Sequence, residues 1–254
     1  MAELLLELFS EEIPARMQGR AAADLKRLVG DALRGAGLDF AKAESFATPR
    51  RLALVVEGLP EAQPDATEER KGPRVGSPDK AIEGFLKAAG LAGIDAAEQR
   101  DTGKGMFYFA VTRRRGRPTD AVLADILPPA ILALPWPKTM IWGNSTFRWV
   151  RPMHGVLCVL AGRAVPIAVG QLTAGDVTHG HRFMAPAEIK VADFANYRGR
   201  LRAAYVMLDA AERRRAILSD ARLSAAAESL TLVEDAGLLE EVAGLVVGPV
   251  VLIG

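Results

Sequence analysis

The segment Leu4-Leu5-Leu6-Glu7-Leu8 is a short, nearly continuous apolar run broken by one carboxylate. Apolar and polar residues do not alternate along it, so it reads as a buried strand. A buried strand commits the chain to a sheet with a core around it. The 254 residues suffice for that: at this length roughly 70–75% of the unfolded surface can be buried, in one large domain or two ordinary ones.

The first half of the chain then punctuates cleanly. Ser10 is a candidate helix cap and Pro14 fits a first helical turn, after which Met17, Ala21, Leu25, Leu28, Val29 and Leu33 recur at helical spacing until Gly35 and Gly37. Leu52–Val56 reads as a second strand, and Pro64–Arg74 as an edge strand or a loop. Ser77-Pro78-Asp79 starts a helix with Ala81, Ile82, Phe85, Leu86 and Ala89 on one face, and Met106–Val111 reads as a strand. The order matches the split βαβ pattern of a ferredoxin-like unit.

After Gly116 the character changes. Thr119 is a candidate cap for a helix carrying Val122, Leu123, Ile126 and Leu127, which Pro128-Pro129 is expected to end or kink. Val156–Leu160 and Val165–Val169 read as a hairpin. Helices are expected from Asp209 through Glu228 and from Asp235 to Val247. The expected fold is therefore α+β, mixed helices and sheets in two units, 1–116 and 117–254. The apolar segment Gly248–Gly254 has no polar tail, which suggests a longer parent chain.

Half the residues are hydrophobic, a quarter are charged and the net charge is +1, so any basic footprint must be local. Cys158 is the one cysteine and sits in an apolar run, which predicts a buried core thiol and a reducing compartment. The start shows no signal-peptide pattern, and the apolar runs fall far short of the ~18 residues of a membrane span. A cytoplasmic protein with no membrane contact is expected.

Catalytic signatures are scarce: no Walker loop, Gly-x-Gly-x-x-Gly, Cys-x-x-Cys or His-Glu-x-x-His. His179-Gly180-His181 places two imidazoles on one face of an extended segment, but two ligands are too few for a metal, so a hydrogen-bonding or loop-fixing role is preferred. Arginines cluster at Arg50-Arg51, Arg113-Arg114-Arg115, Arg148 with Arg151, Arg198-Arg200-Arg202 and Arg213-Arg214-Arg215. Their planar forks suit phosphate, and Phe147, Trp149 and Tyr197 are candidate base-stacking rings. The plainer alternative is solvated arginine paired with Asp and Glu. Glu11-Glu12 reads as helix-start stabilisation. Lys138-Thr139-Met140 and Trp142-Gly143-Asn144 lie beside proline breaks, where a binding loop can sit.

These stretches, read in order, resemble one family. Leu4–Ala15, Thr48-Pro49-Arg50-Arg51-Leu52-Ala53, Pro137–Gly143 with Phe147–His154, Thr178-His179-Gly180-His181-Arg182-Phe183 and Glu240–Gly254 are similar to the amino-terminal portion of the bacterial glycyl-tRNA synthetase β subunit. The resemblance implies a heterotetrameric ligase that attaches glycine to tRNA. Its α subunit would hold glycine, ATP and Mg2+, and this chain would hold no cofactor or metal. The expected partners are the α subunit and tRNA(Gly), and part of the region would share its shape with the B3/B4 module of phenylalanyl-tRNA synthetase β. No catalytic residue is expected in this chain. The candidate contacts to tRNA or partner are Arg50, Arg51, Lys138, Arg148, Arg151, His181 and Arg182. A pure assembly module and a hydrolytic editing domain using His179 or His181 as base remain the rival readings.

Overall fold

The computed structural model describes residues 1–144 and 146–253, without the side chain of Arg113. Gly254 of the terminal apolar segment and the Arg113 side chain of the arginine run therefore lie outside the described residues. Strand β1 (Ala2–Ser10) leads into helix α1 (Ala15–Gly35), followed by β2 (Lys42–Thr48) and β3 (Arg51–Leu59). Next come β4 (Ala66–Arg74), α2 (Asp79–Ala89), β5 (Glu98–Asp101), β6 (Met106–Arg114), α3 (Thr119–Leu132) and β7 (Met153–Leu160). Short strands follow: β8 (Arg163–Ala164), β9 (Ala168–Val169), β10 (Leu172–Thr173), β11 (Val177–His179) and β12 (Glu188–Lys190). Helices α4 (Phe194–Ala203), α5 (Ala210–Ala227) and α6 (Ala236–Ala243) complete the order. This is a mixed α+β fold.

The main sheet has the order β2-β3-β1-β7-β8, with every neighbouring pair antiparallel. β1 is its middle strand, and both of its faces are covered, which accounts for the unbroken apolar run. Leu4, Leu6 and Leu8 oppose Val56, Leu54 and Leu52 on one side and Leu160, Cys158 and Val156 on the other. These side chains join one core with Leu25, Val29 and Leu33 of α1 and Val122, Leu123 and Leu127 of α3. Leu5 points the other way, into a second core with Leu157, Val159, Tyr197, Leu201 and Val206. Each fully buried leucine contributes about 2 kcal/mol. Cys158 is buried as expected, and burial pushes its thiol pKa up to about 12.

The chain divides differently from the expected 1–116 and 117–254. Residues 1–61 and 118–254 form one unit, and residues 62–117 form a second. The four strands read as one ferredoxin-like pattern are split accordingly: β1 and β3 lie in the main sheet, whereas β4, β6 and β5 make a separate three-stranded sheet. The inserted segment closes on itself. The Gln63 N–H donates to the Arg117 carbonyl at 2.9 Å, and the Gly116 N–H to the Asp65 carboxylate at 2.8 Å. Its ends thus meet, and the turn near 116 is where the chain leaves the insert.

Two local expectations change. α3 runs through Pro128 and Pro129 to Leu132. Proline's fixed φ is helical, and buried side chains on both sides of the pair, Leu123 and Leu127 before and Ala130 and Ile131 after, hold the helix where two backbone donors are missing. Ser10 and Thr119 do not cap helices. α1, α2 and α3 begin directly after Pro14, Pro78 and Pro118 without a side-chain cap, and the Thr119 hydroxyl donates instead to the Pro60 carbonyl. By contrast Asp193, Asp209 and Asp235 each accept a backbone N–H at the start of α4, α5 and α6. β7 does turn back at Ala161 and Gly162, both at positive φ, but the strand that pairs with it is Arg163–Ala164 and not the expected Val165–Val169, whose end pairs with β10 instead. Among the described residues no helix is long and apolar enough to cross a membrane.

Candidate nucleic-acid interface

The carboxyl end of β1 lies beside the amino ends of β3 and β7, so antiparallel pairing gathers residues from distant sequence at one end of the sheet. Backbone hydrogen bonds fix the junction: Ser10 N–H donates to Arg50 O at 2.8 Å, Glu11 N–H to Pro152 O at 2.8 Å, and Ile13 N–H to Pro49 O at 2.6 Å. This places Glu11 among cations. Its carboxylate lies 2.7 Å from His154 Nε2, 2.7 Å from a guanidinium nitrogen of Arg182 and 3.5 Å from one of Arg50. Glu12 is 3.5 Å from Arg182. Glu11-Glu12 is therefore no helix-start pair. α1 begins at Ala15 and its first turn holds no acid, because the chain turns at Pro14 before the helix starts.

Burial pushes the Glu11 carboxyl upward, but hydrogen bonds from His154 and Arg182 and the charges of Arg50 and Arg182 outweigh it, holding the group below its ordinary value. Arg50 is shifted down, chiefly by burial and then by the like charge of Arg182. The Phe9 ring forms the floor: the Arg50 guanidinium carbon stands 4.7 Å from its centroid, and the His179 ring stacks on it at 5.5 Å.

His181-Arg182-Phe183 forms the opposite wall. The Phe183 and Met184 N–H groups donate to His181 Nδ1 at 3.2 and 3.3 Å, so His181 shapes the loop. Gly180 makes the approach possible, since a Cβ there would stand 2.5 Å from Ala185 O and 2.6 Å from the Ala204 methyl. Phe183 projects, 80% exposed, beside the Arg182 guanidinium. Between the walls lies a cleft of about 220 Å³ lined by Phe9, Glu12, Arg50, His181, Arg182, Phe183 and residues 245–248.

Of the seven residues expected to contact tRNA or a partner, Arg50, His181 and Arg182 meet at this cleft. Arg151 is half-buried, donates to the Val150 carbonyl and precedes Pro152 of the same junction. Lys138 and Arg148 are exposed, beside the bridge between Met140 and Trp149, and are not among the residues lining this cleft. Arg51 must be corrected. Although it also reaches the cleft's floor, it is 1% exposed and locked to Glu7 at 3.1 Å and to the His179 carbonyl at 2.7 Å. Its charge is already neutralised inside the fold. Two of the proposed stacking rings are also unavailable: Trp149 is a core residue, and Tyr197 is buried with its hydroxyl donated to Glu7. Burial, then the Glu7 charge, raises the Tyr197 pKa well above its ordinary value. Arg213 is buried too. Glu7, Glu11, Phe9 and His154 were missed as a group. The signal present was the single carboxylate in the Leu4–Leu8 run, a position that folding makes fully buried.

The chain matches the family model described as glycyl-tRNA synthetase beta subunit over residues 4–254, which covers every one of these elements. The chain belongs to the glycyl-tRNA synthetase β-subunit family. It is 53% identical, over its whole length, to the glycine–tRNA ligase beta subunit of Rhodospirillum centenum, covering 39% of that protein. It is also 53% identical, again over its whole length, to the glycine–tRNA ligase beta subunit of a Ruegeria species, covering 37% of it. The chain thus spans under two-fifths of the length of the relatives it matches. As a β-subunit family member it presents Arg50, His181 and Arg182 at one end of its main sheet. Among its described residues no cluster of three or more His, Cys, Asp or Glu is arranged to hold a metal ion.

Proposed function

We propose that this chain is the portion of a heteromeric glycine–tRNA ligase β subunit that supports tRNA binding and subunit assembly, for ATP-dependent attachment of glycine to tRNA in the cytoplasm. In this reading glycine, ATP and Mg2+ are held by the α subunit, and no residue of this chain attacks an acyl group. The family match over residues 4–254 carries the reading. The cleft supplies its physical support: guanidinium groups of Arg50 and Arg182 stand beside an exposed phenylalanine, the side-chain types that meet a phosphate and a base. Glu12, exposed and only 3.5 Å from Arg182, is the partner an incoming phosphate displaces. Lys138, Arg148 and Arg151 are further contacts to tRNA or partner in the same reading. Likeness to the B3/B4 module belongs to the same reading, supported by an antiparallel sheet with cores on both faces.

Filter binding of tRNA(Gly) at two salt concentrations tests it. The wild-type chain loses affinity steeply as salt rises, and an Arg50→Ala/Arg182→Ala variant binds more weakly with a salt slope reduced by about 2. Salt-independent retention of tRNA, or an unchanged slope in the variant, overturns the reading. Assembly without RNA contact is the second reading, favoured by exposed Leu230, Val233, Leu238, Leu245, Val250 and Leu252. It predicts tight binding to the α subunit and no specific tRNA binding at either salt concentration. Editing draws less support, because His181 Nδ1 is already engaged by two backbone donors.

A further inference from the structure

The sheet of the second unit has two unlike faces. α2 packs on one: Phe85, Tyr108 and Ala110 are buried there, and a Cβ on Gly72 would stand 2.7 Å from the Phe85 ring. The central strand β6 turns Phe107 and Phe109 to the other face, because successive side chains alternate. Among the described residues, neither ring belongs to this unit's hydrophobic core. What lies over each is a cation. Lys71 Nζ stands 3.9 Å from the Phe107 centroid, and the Arg100 guanidinium carbon 5.3 Å from that of Phe109.

An interior face would be filled by aliphatic residues. Here two half-buried aromatic rings, roughly 7 Å apart along one strand, lie beneath long side chains with charged ends, on a face they share with Val111. That combination is how single-stranded nucleic acid is bound: rings stack successive bases without reading sequence, and adjacent cations meet the backbone. Charge favours the same occupant. Residues 62–117 hold 11 Lys and Arg against 8 Asp and Glu, a balance of +3, whereas the whole chain is +1 and the remaining residues are therefore −2. Lys104 before β6 and Arg114 and Arg115 at its exit, all exposed, place further cations near both ends of the aromatic strand. Glu69 and Glu98 bind Arg100 at 2.9 and 2.6 Å and hold its guanidinium over Phe109.

We propose that the open face of the β4–β6–β5 sheet binds single-stranded RNA. One base stacks on Phe107 as the Lys71 ammonium turns to a phosphate, and the next stacks over Phe109 and the flat guanidinium of Arg100. Its residues belong to the second unit and those of the Arg50–Arg182 cleft to the first, and the proposal rests on the tRNA reading only in taking RNA as its ligand.

Fluorescence anisotropy of the 254-residue chain with a labelled single-stranded decaribonucleotide and with a blunt RNA duplex tests the proposal. The expected result is preference for the single strand, weakened at least about tenfold by Phe107→Leu/Phe109→Leu. Phe107→Tyr/Phe109→Tyr should bind like the wild type. Lys71→Glu, at an exposed position, keeps the test open if the leucine variant fails to fold, and should weaken binding and flatten the salt dependence. In an Arg50→Ala/Arg182→Ala background, Phe107→Leu/Phe109→Leu should still weaken decamer binding about tenfold, so a loss of tRNA binding caused by the arginine changes alone bears on the cleft and not on this face. The proposal is overturned by equal affinity for strand and duplex. It is equally overturned if folded Leu variants bind the decamer normally, or if they lose only association with the α subunit, which would make the face a protein contact.

Discussion

The Arg51 guanidinium lies 3.1 Å from the Glu7 carboxylate, and each side chain is 1% exposed. Thr178 and Tyr197 donate their hydroxyl hydrogen bonds to the same carboxylate, so Glu7 is fully partnered inside the second core. Removing one member strands a buried charge. Arg51→Ala or Glu7→Ala should destabilise the fold by about 3–5 kcal/mol in urea denaturation. Replacing all four members together (Glu7→Leu, Arg51→Met, Thr178→Val, Tyr197→Phe) should recover part of that loss. Additive losses across the four sites would contradict a coupled network.

Glu11 predicts an acid-side dependence. Burial raises its carboxyl, but His154, Arg182 and Arg50 together hold it below the unfolded value, so the folded chain binds fewer protons through that range. The stabilisation is complete above the ordinary carboxylate value of about 4.3 and is lost as pH falls through the lower folded value. The carboxylate is 37% exposed, so the effect should stay under about 1 kcal/mol. Thermal melts of wild type and Glu11→Gln from neutral to acid pH should differ at neutrality and converge in acid. Parallel curves would refute the assignment.

Arg213 is a cation held by carbonyls. It donates to Ala243 O at 2.9 Å, Met207 O at 2.8 Å, Leu208 O at 3.0 Å and Ala47 O at 3.0 Å, joining α5 to β2 and to the end of α6. Burial pushes its pKa down to about 10, which still leaves it charged at neutral pH. Arg213→Met should cost about 3 kcal/mol or more, because it leaves buried acceptors unpaired. Arg214→Met, at a half-buried position paired with Glu240, should cost under about 1 kcal/mol. Comparing the two midpoints in chemical denaturation checks the contrast.

Gly180 tests the geometry of the cleft wall. The contacts that a Cβ would make with Ala185 O and the Ala204 methyl predict that Gly180→Ala shifts the His181–Phe183 loop and destabilises the fold by about 1–3 kcal/mol. Its tRNA affinity should fall with Arg50 and Arg182 still in place. A variant with wild-type melting temperature and affinity would show that the loop does not need this close approach.

Much of the architecture could be read from local patterns. The helical spacing of Leu25, Val29 and Leu33 and the apolar runs of β1, β3 and β7 predicted their elements because local periodicity reflects burial directly. The units were harder to read. Whether Pro64–Arg74 pairs with Leu52–Val56 or with Met106–Val111 depends on long-range pairing, and periodicity carries no partner information. The arginines show the same limit. Arg50 and Arg51 are neighbours in one motif, yet Arg50 sits in the turn before β3 and stays half-buried at the cleft, whereas Arg51 is the first residue of β3 and is buried against Glu7.

The sequence by itself determined the family, through motifs in order along the chain, and most of the helices and strands, through spacing that a single segment can carry. Only the tertiary structure decided which charges are available. Glu7, Arg51 and Arg213 are of charged types that ordinarily face water and are buried in the fold, while Glu11, His154 and Arg182 are far apart in sequence and meet at one carboxylate. The reason is physical. A charge's role depends on its solvation and on the partner within a few ångströms, and both are set by the packing of strands that the chain brings together from opposite ends of its length.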